Sequence, residues 1–417
     1  HSYVTVPKKY GAPMFYGWRL VAGLFVILAF SSGLGFYNHA VLIQSLAATG
    51  RYTIEVASSA VSVFFVVSGI AGLGLAPLLD RFDVRWIIVP GALLAAFGLW
   101  CIGSIRETWE LYGVYALFGL GFSASGLLPA TTLISRWFVI KRARALSIAS
   151  TGLSVGGMLI TPISAYWVGD LGLPRAASFQ ALLYLLGVVP VTLWLLRSFP
   201  AALVLMPDGA AWQETPAAQD GVHFAVAVKD PFFVWFNLSY ICLMASQVGA
   251  IAHQYGLITQ RLPEQWVAIA LTVLPLASVI GRLAGGFLLD KLPVQGFTLV
   301  MMLAQAFSLG LLSLSETIAG MLLGLAILGI TVGNLLMLQP LIIAARYGLR
   351  SYSRLFSWAN LFSVLGVAAG PGLLGWLFGW SGSYAVPFMV AAGLAGLAGL
   401  TFCFCLGSQL EHESVGA

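Results

Sequence analysis

Charge is what this sequence has least of. Lys, Arg, Asp and Glu make up 8% of 417 residues, while 59% are hydrophobic; a soluble domain is roughly a quarter charged. Such a chain has too little polar surface to face water, which excludes a soluble enzyme or a nucleic-acid-binding domain. Cysteine is scarce too: Cys101, Cys242, Cys403 and Cys405 all fall in apolar runs, so neither a disulfide framework nor a metal site is expected, and no cofactor is implied. The runs do not alternate polar with apolar residues, which excludes a membrane β-barrel. No cleavable signal peptide is expected, because the first apolar run leads directly into the next.

What is present is a series of apolar runs of about 20 residues, each long enough as a helix to cross a hydrocarbon core about 30 Å thick. Twelve spans are expected, at 16–38, 54–79, 84–104, 108–135, 145–169, 176–197, 231–259, 265–289, 297–315, 317–345, 354–378 and 383–406. The fold class is thus an all-α polytopic membrane protein, with a six-helix bundle at 1–197, a flexible linker at 198–230 and a second six-helix bundle at 231–417. Of the 20 Lys and Arg residues, 15 fall on the side of the termini and four (Arg51, Arg106, Arg175, Arg261) on the other. The positive-inside rule then puts both termini and the linker in the cytoplasm, and the compact loops suggest a bacterial inner membrane. The pI near 9.0 records this orientation and gives no reason to expect nucleic acid.

The two halves repeat each other. "LLDRFDVR", with Asp80 and Arg81, returns 210 residues later as "LLDKLPVQ", with Asp290 and Lys291; "RWFVIKRAR", with Arg136 and Arg144, returns at the same offset as "RYGLRSYSR", with Arg346 and Arg354. A constant offset across separate loops marks a duplication, the usual construction of carriers that hold a substrate between rocking halves. These charges, together with Arg85, are candidate gating residues whose contacts form and break during the cycle, although each could instead simply anchor a helix end.

The "DRFDVR" loop resembles the signature between the second and third helices of the major facilitator superfamily, departing at Ala76 and Asp83, where glycine is usual. "YGWRL" at 16–20, "WFVIKRARALSIASTGLSVGG" at 137–157, "PDG" at 207–209 and "GRLAGGFLLD" at 281–290 look like its monocarboxylate porter and oxalate:formate exchanger branch. The resemblance covers essentially the whole chain and implies a monomeric secondary transporter of small carboxylates.

One cation does not fit the map. Arg282 lies inside the eighth span, eight residues from Asp290, about 12 Å deeper at helical rise. A guanidinium there must be solvated or paired, and none of the 15 acidic residues falls in a span interior. Either carbonyls and amides such as Asn334, Gln339 or Asn360 satisfy it, or its partner is a substrate carboxylate, which matches the planar guanidinium fork. One uncompensated charge favours a monocarboxylate. The oxalate:formate pattern includes a lysine in helix 11, and none occurs in "LFSWANLFSVLGVAAGPGLLGWLFGW" at 355–380.

With no buried acid, the candidates for carrying a proton are His253 in the seventh span, the substrate itself, and Arg282 as counter-ion. His253 could equally be a neutral imidazole tied to a neighbour; the resemblance favours involvement. Further candidate ligand residues are Tyr37 and Asn38 in the first span, Tyr115 in the fourth, Asn334 in the tenth and Asn360 in the eleventh, each of which could instead be a packing hydrogen bond. Ser278 stands where animal monocarboxylate porters carry an acid, and the first span lacks their lysine, so their salt-bridge exchange does not carry over. The expectation is monocarboxylate and proton symport by alternating access. A carboxylate exchanger is the alternative; a drug exporter would call for a buried acid, and a membrane enzyme for a catalytic cluster that the sequence does not offer.

Overall fold

The computed structural model describes residues 15–138, 141–203, 205, 207–209, 221–289, 291–348 and 350–415. Twelve of its helices are long and apolar enough to cross a membrane: α1 (Tyr16–Ala48), α2 (Ile54–Arg81), α3 (Arg85–Ile102), α4 (Thr108–Trp137), α5 (Arg144–Leu171), α6 (Leu173–Leu195), α7 (Pro231–Arg261), α8 (Glu264–Leu289), α9 (Val294–Leu314), α10 (Ile318–Tyr347), α11 (Arg354–Ser381) and α12 (Ala385–Cys405). This is the expected all-α, twelve-span architecture.

Local chemistry sets the helix ends. Thr53 and Thr317 accept from the third backbone N–H beyond them, capping α2 and α10, and Glu107 with Glu110 closes a capping box on α4. Asp230 caps α7, whose first residue, Pro231, has no N–H to lose. α5 and α11 stop at Gly172 and Gly382, where φ of 76° and 70° favours glycine.

α1 differs from expectation. The sequence reading ends the first span at 38, but α1 continues to Ala48 through a π-helical turn at Gly33–Tyr37. Asn38 closes the span as read from sequence and His39, Gln44 and Ser45 lie beyond it, yet of these four all but Gln44 are buried, and most find partners inside the protein, which is how polar groups survive at membrane depth. Asn38 donates to Gln180 on α6 at 3.0 Å and accepts from Ser164 on α5, and Gln180 donates to Ser164 at 2.8 Å, closing a triad.

α1 to α6 pack around one large apolar cluster containing Leu24, Phe64, Phe118, Trp137 and Tyr184. α7 to α12 enclose two others, one with Ile258, Leu325 and Phe388 and one with Phe236, Leu338 and Phe402. Of the linker, 204, 206 and 210–220 lie outside the described residues, and described parts on either side are tied down. Asp208 accepts the Lys141 N–H at 3.2 Å, while Val222 donates to the Tyr347 carbonyl at 2.9 Å beside a bridge between Gly221 and Gly348.

The parity of twelve helices puts both chain ends and the linker on one side, here the terminal side; the other is the far side. α2 and α11 run antiparallel in a single register, with Glu55 beside Gly379, Ser58 beside Gly375, Ser62 beside Gly372 and Gly69 beside Val364. The seam runs from the far side for about 21 Å at helical rise. A Cβ built on Gly74, further toward the terminal side, would meet nothing within 4 Å. Hydrogen bonds between the halves include Gln44 to Tyr384, Gly372 to Ser62, Ser154 with Ser278, and Arg282 to Ser150. These ties and the α2–α11 seam close the far side, and Arg282 to Ser150 is the one of the four nearest the termini.

Candidate functional site

Arg282 sits where the seal between the halves gives out. It is seven residues from the terminal-side end of α8, about 10 Å at helical rise, and 4% exposed. Glycines bring α8 and α10 together around it: a Cβ on Gly333 would come within 2.2 Å of the Ser278 carbonyl, and one on Gly329 within 2.2 Å of the Leu274 carbonyl. That approach lets Gly333 O accept from Arg282 Nε at 3.3 Å. Asn334 adds a tie, donating from Nδ2 to Gly281 O and Ile330 O, each at 2.9 Å.

The other half supplies the rest. Arg282 Nη1 donates to the Ser150 carbonyl on α5 at 2.6 Å, with Ser150 Oγ at 3.4 Å. One turn toward the far side, Ser154 and Ser278 share a hydrogen bond of 3.0 Å, and Tyr37 from the π turn lies beside both Ser154 and Arg282. Among the described residues no carboxylate pairs with Arg282, and its Nη2 has no acceptor. The expected two-pronged fork is therefore only half free: one Nη is held by Ser150, so a carboxylate reaches Nη2 alone unless Ser150 gives way.

The remaining candidate ligand residues do not converge on this point. His253 is fully buried, with Nε2 2.9 Å from the carbonyl oxygen of Pro371 on α11 and Nδ1 unpartnered. It is eight residues from the far-side end of α7, whereas Arg282 is near the opposite end of α8, a difference in depth of about 15 Å at helical rise. Asn38 spends its side-chain groups in the triad with Gln180 and Ser164, so it acts as a tie within one half. Asn334 positions α8 through its amide, leaving its buried Oδ1 without a partner. Tyr115 is buried with its hydroxyl unpartnered. Asn360 is exposed on α11, beyond the seam toward the terminal side.

Sequence reading missed His39. It is fully buried between Phe64, Phe65, Tyr115 and Phe118, with ring centroids 4.4 to 5.9 Å away, and neither ring nitrogen is hydrogen-bonded. His39 lies one residue beyond the end given to the first span. Ser150 was missed because its contribution is a backbone carbonyl.

Several candidate gating residues find partners within the same half or in the linker segment adjoining it. Arg136 donates to Asp80 and to the Leu79 carbonyl, each at 2.9 Å, and stacks on Phe199. Arg85 pairs with Asp83 at 3.0 Å. Burial works against the charged form of Asp83, but the hydrogen bonds from the Arg85 side chain and backbone outweigh it and hold the carboxyl below the usual range. Arg346 reaches Asp230 at 3.5 Å and lies over Phe232, Arg354 lies over Phe224 and Arg144 over Trp18. Arg81 and Lys291 meet no acceptor among the described residues, and Asp290 lies outside them.

Two pseudo-equivalent bundles, sealed on one side around a buried charge, are the form of a carrier, and the family model for the Major Facilitator Superfamily matches residues 25–333. The chain belongs to that superfamily. Within it, a transporter named asaE from Aspergillus flavus is 26% identical over 277 residues, 64% of this chain; the match spans 58% of that protein's length. Monocarboxylate transporter 13 from Bos taurus is 24% identical over 419 residues, covering 94% of this chain and 91% of its own. A solved bacterial homologue of the human lysosomal transporter Spinster, inward-facing and unoccupied, shares the superfamily fold at a TM-score of 0.65 and 16% identity, over 95% of this chain and 99% of that one.

Proposed function

We propose that this superfamily member carries a small monocarboxylate of the lactate or pyruvate size together with a proton, by rocking of its halves 1–197 and 231–417 about a central site, as a monomer in a bacterial inner membrane. Basic residues on the terminal side make that side cytoplasmic, and the closed far side then corresponds to an inward-facing carrier. The observation that carries the reading is Arg282, buried, without an acidic partner among the described residues, and with Nη2 unengaged at the end of the inter-half seal. A substrate carboxylate supplies the missing negative charge, and the neutralised site can then be occluded. The similarity to monocarboxylate transporters over most of the chain supports the same substrate class. The test is uptake of labelled monocarboxylates into proteoliposomes under an imposed inward proton gradient. Accumulation above equilibrium supports the reading; no uptake of any small carboxylate sinks it.

A further inference from the structure

His253 sits too far toward the closed side to share a ligand with Arg282 in this state, and its one hydrogen bond leads elsewhere. Pro371 lies inside α11, and without an N–H it cannot close the helical bond to the residue four before it. The peptide group that follows joins the Pro371 carbonyl to the Gly372 N–H. Both of its polar atoms are held from outside the helix: His253 Nε2 of α7 is 2.9 Å from the carbonyl oxygen, and the Gly372 N–H donates to Ser62 Oγ of α2 at 2.8 Å. One holder belongs to the same half as α11 and the other to the opposite half.

Glycines make the arrangement possible. Gly366 and Gly370 face α7, where a Cβ would fall 2.2 Å from the Ile241 carbonyl and 2.3 Å from the Ala245 carbonyl, while Gly372 and Gly375 face Ser62 and Ser58 of α2. The helix around Pro371 is therefore packed against the α7 backbone on one side and against Ser58 and Ser62 of α2 on the other. With His253 as the Nε2–H tautomer, imidazole, peptide and serine form a chain of two hydrogen bonds running from one half into the other. A donor on an amide oxygen polarises the amide and strengthens the bond its N–H gives.

We propose that the Pro371–Gly372 peptide is the latch of the far-side gate, closed by Ser62 across the halves and reinforced by His253 from behind, so that His253 is a positioning residue acting on the gate through this peptide. Opening the far side parts α2 from α11 and breaks the Ser62 bond, whereas the His253 bond lies within one half and travels with α11.

The test needs no substrate and so stands apart from the carboxylate reading. In a chain with its four cysteines replaced, spin labels at the exposed far-side positions Arg175 and Glu316 report the fraction of open gate in nanodiscs. Ser62→Ala is expected to raise the ratio of open to closed about 2- to 10-fold, the range of one hydrogen bond, and His253→Ala to raise it by a smaller factor, because its own bond persists on opening and acts only by strengthening the Ser62 bond. Because both act on one peptide, the double variant should show less than the product of the two effects, and His253→Gln, which keeps an N–H donor, should restore part of the closure. If His253→Ala does not fold, His253→Leu, which keeps side-chain bulk and removes the donor, completes the same cycle with Ser62→Ala. A gate distribution unmoved by the His253 variants, or effects that multiply independently, overturns the proposal.

Discussion

Arg282 and Ser150, on helices of opposite halves, are joined by a 2.6 Å hydrogen bond from guanidinium to backbone carbonyl. Part of the buried charge is thus satisfied by a dipole from the opposite half. A carboxylate competing for that edge gains a full charge–charge contact. Arg282→Gln should weaken equilibrium binding of a labelled monocarboxylate about 10- to 100-fold, the range for losing a hydrogen bond to a charged group. Arg282→Lys should fall between, keeping charge without planar geometry. Binding by the Gln variant at wild-type affinity removes Arg282 as the anchor.

Asn38→Ala separates structural from ligand roles. It strips partners from Gln180 and Ser164, a loss of about 1–3 kcal/mol for buried groups left unsatisfied. The expected result is a lower melting temperature in detergent with substrate affinity retained. Unchanged stability with lost binding would return Asn38 to the site.

Gly333→Ala puts a methyl 2.2 Å from the Ser278 carbonyl and must push α8 from α10, costing about 1–3 kcal/mol and moving the carbonyl that orients Arg282. Transport should drop together with stability. Gly74→Ala, with nothing within 4 Å, is the control and should be near neutral; equal damage from both would show that the close approach is not what matters.

Asp80 and Arg136 pair inside one half, so Asp80→Asn should alter turnover and the balance of conformations while leaving equilibrium binding largely intact. Arg136→Ala should do more, because it also releases the Leu79 carbonyl and the Phe199 ring. Loss of binding in Asp80→Asn with no change in the gate distribution would contradict this.

The driving force is decided by which gradient moves substrate. Uptake should rise as external pH falls, and carboxylate should accumulate against its own concentration gradient when only an inward proton gradient is imposed. Dependence on preloaded internal carboxylate, with indifference to an imposed pH gradient, would make the carrier an exchanger.

Much of this was legible in the sequence because hydropathy states spans outright: the twelve helices and the isolation of Arg282 follow from where charge is missing. The fixed offset between the Asp80 and Asp290 loops displays the duplication just as directly. What sequence hides is pairing by backbone. Ser150 and Pro371 contribute carbonyls, which every residue has, so neither Arg282's resident acceptor nor the tie on His253 leaves a mark in residue types. The first span was cut short for a related reason. His39 and Gln44 fall beyond its end on hydropathy alone, until Gln44 is seen to meet Tyr384 across the halves and His39 to be enclosed by aromatic rings.

The π turn at Gly33–Tyr37 gives α1 a phase as well as a shape. A π turn accommodates one residue more than the α turn it replaces, and each residue of an α-helix advances the side chains by about 100°. Everything on α1 beyond Tyr37 is therefore rotated by that amount relative to a continuous α-helix. Asn38 meets Gln180, and Gln44 meets Tyr384 across the halves, only in this phase. Removing a single residue from the turn would leave every side chain downstream present and every hydropathy average intact, yet aim them at the wrong neighbours.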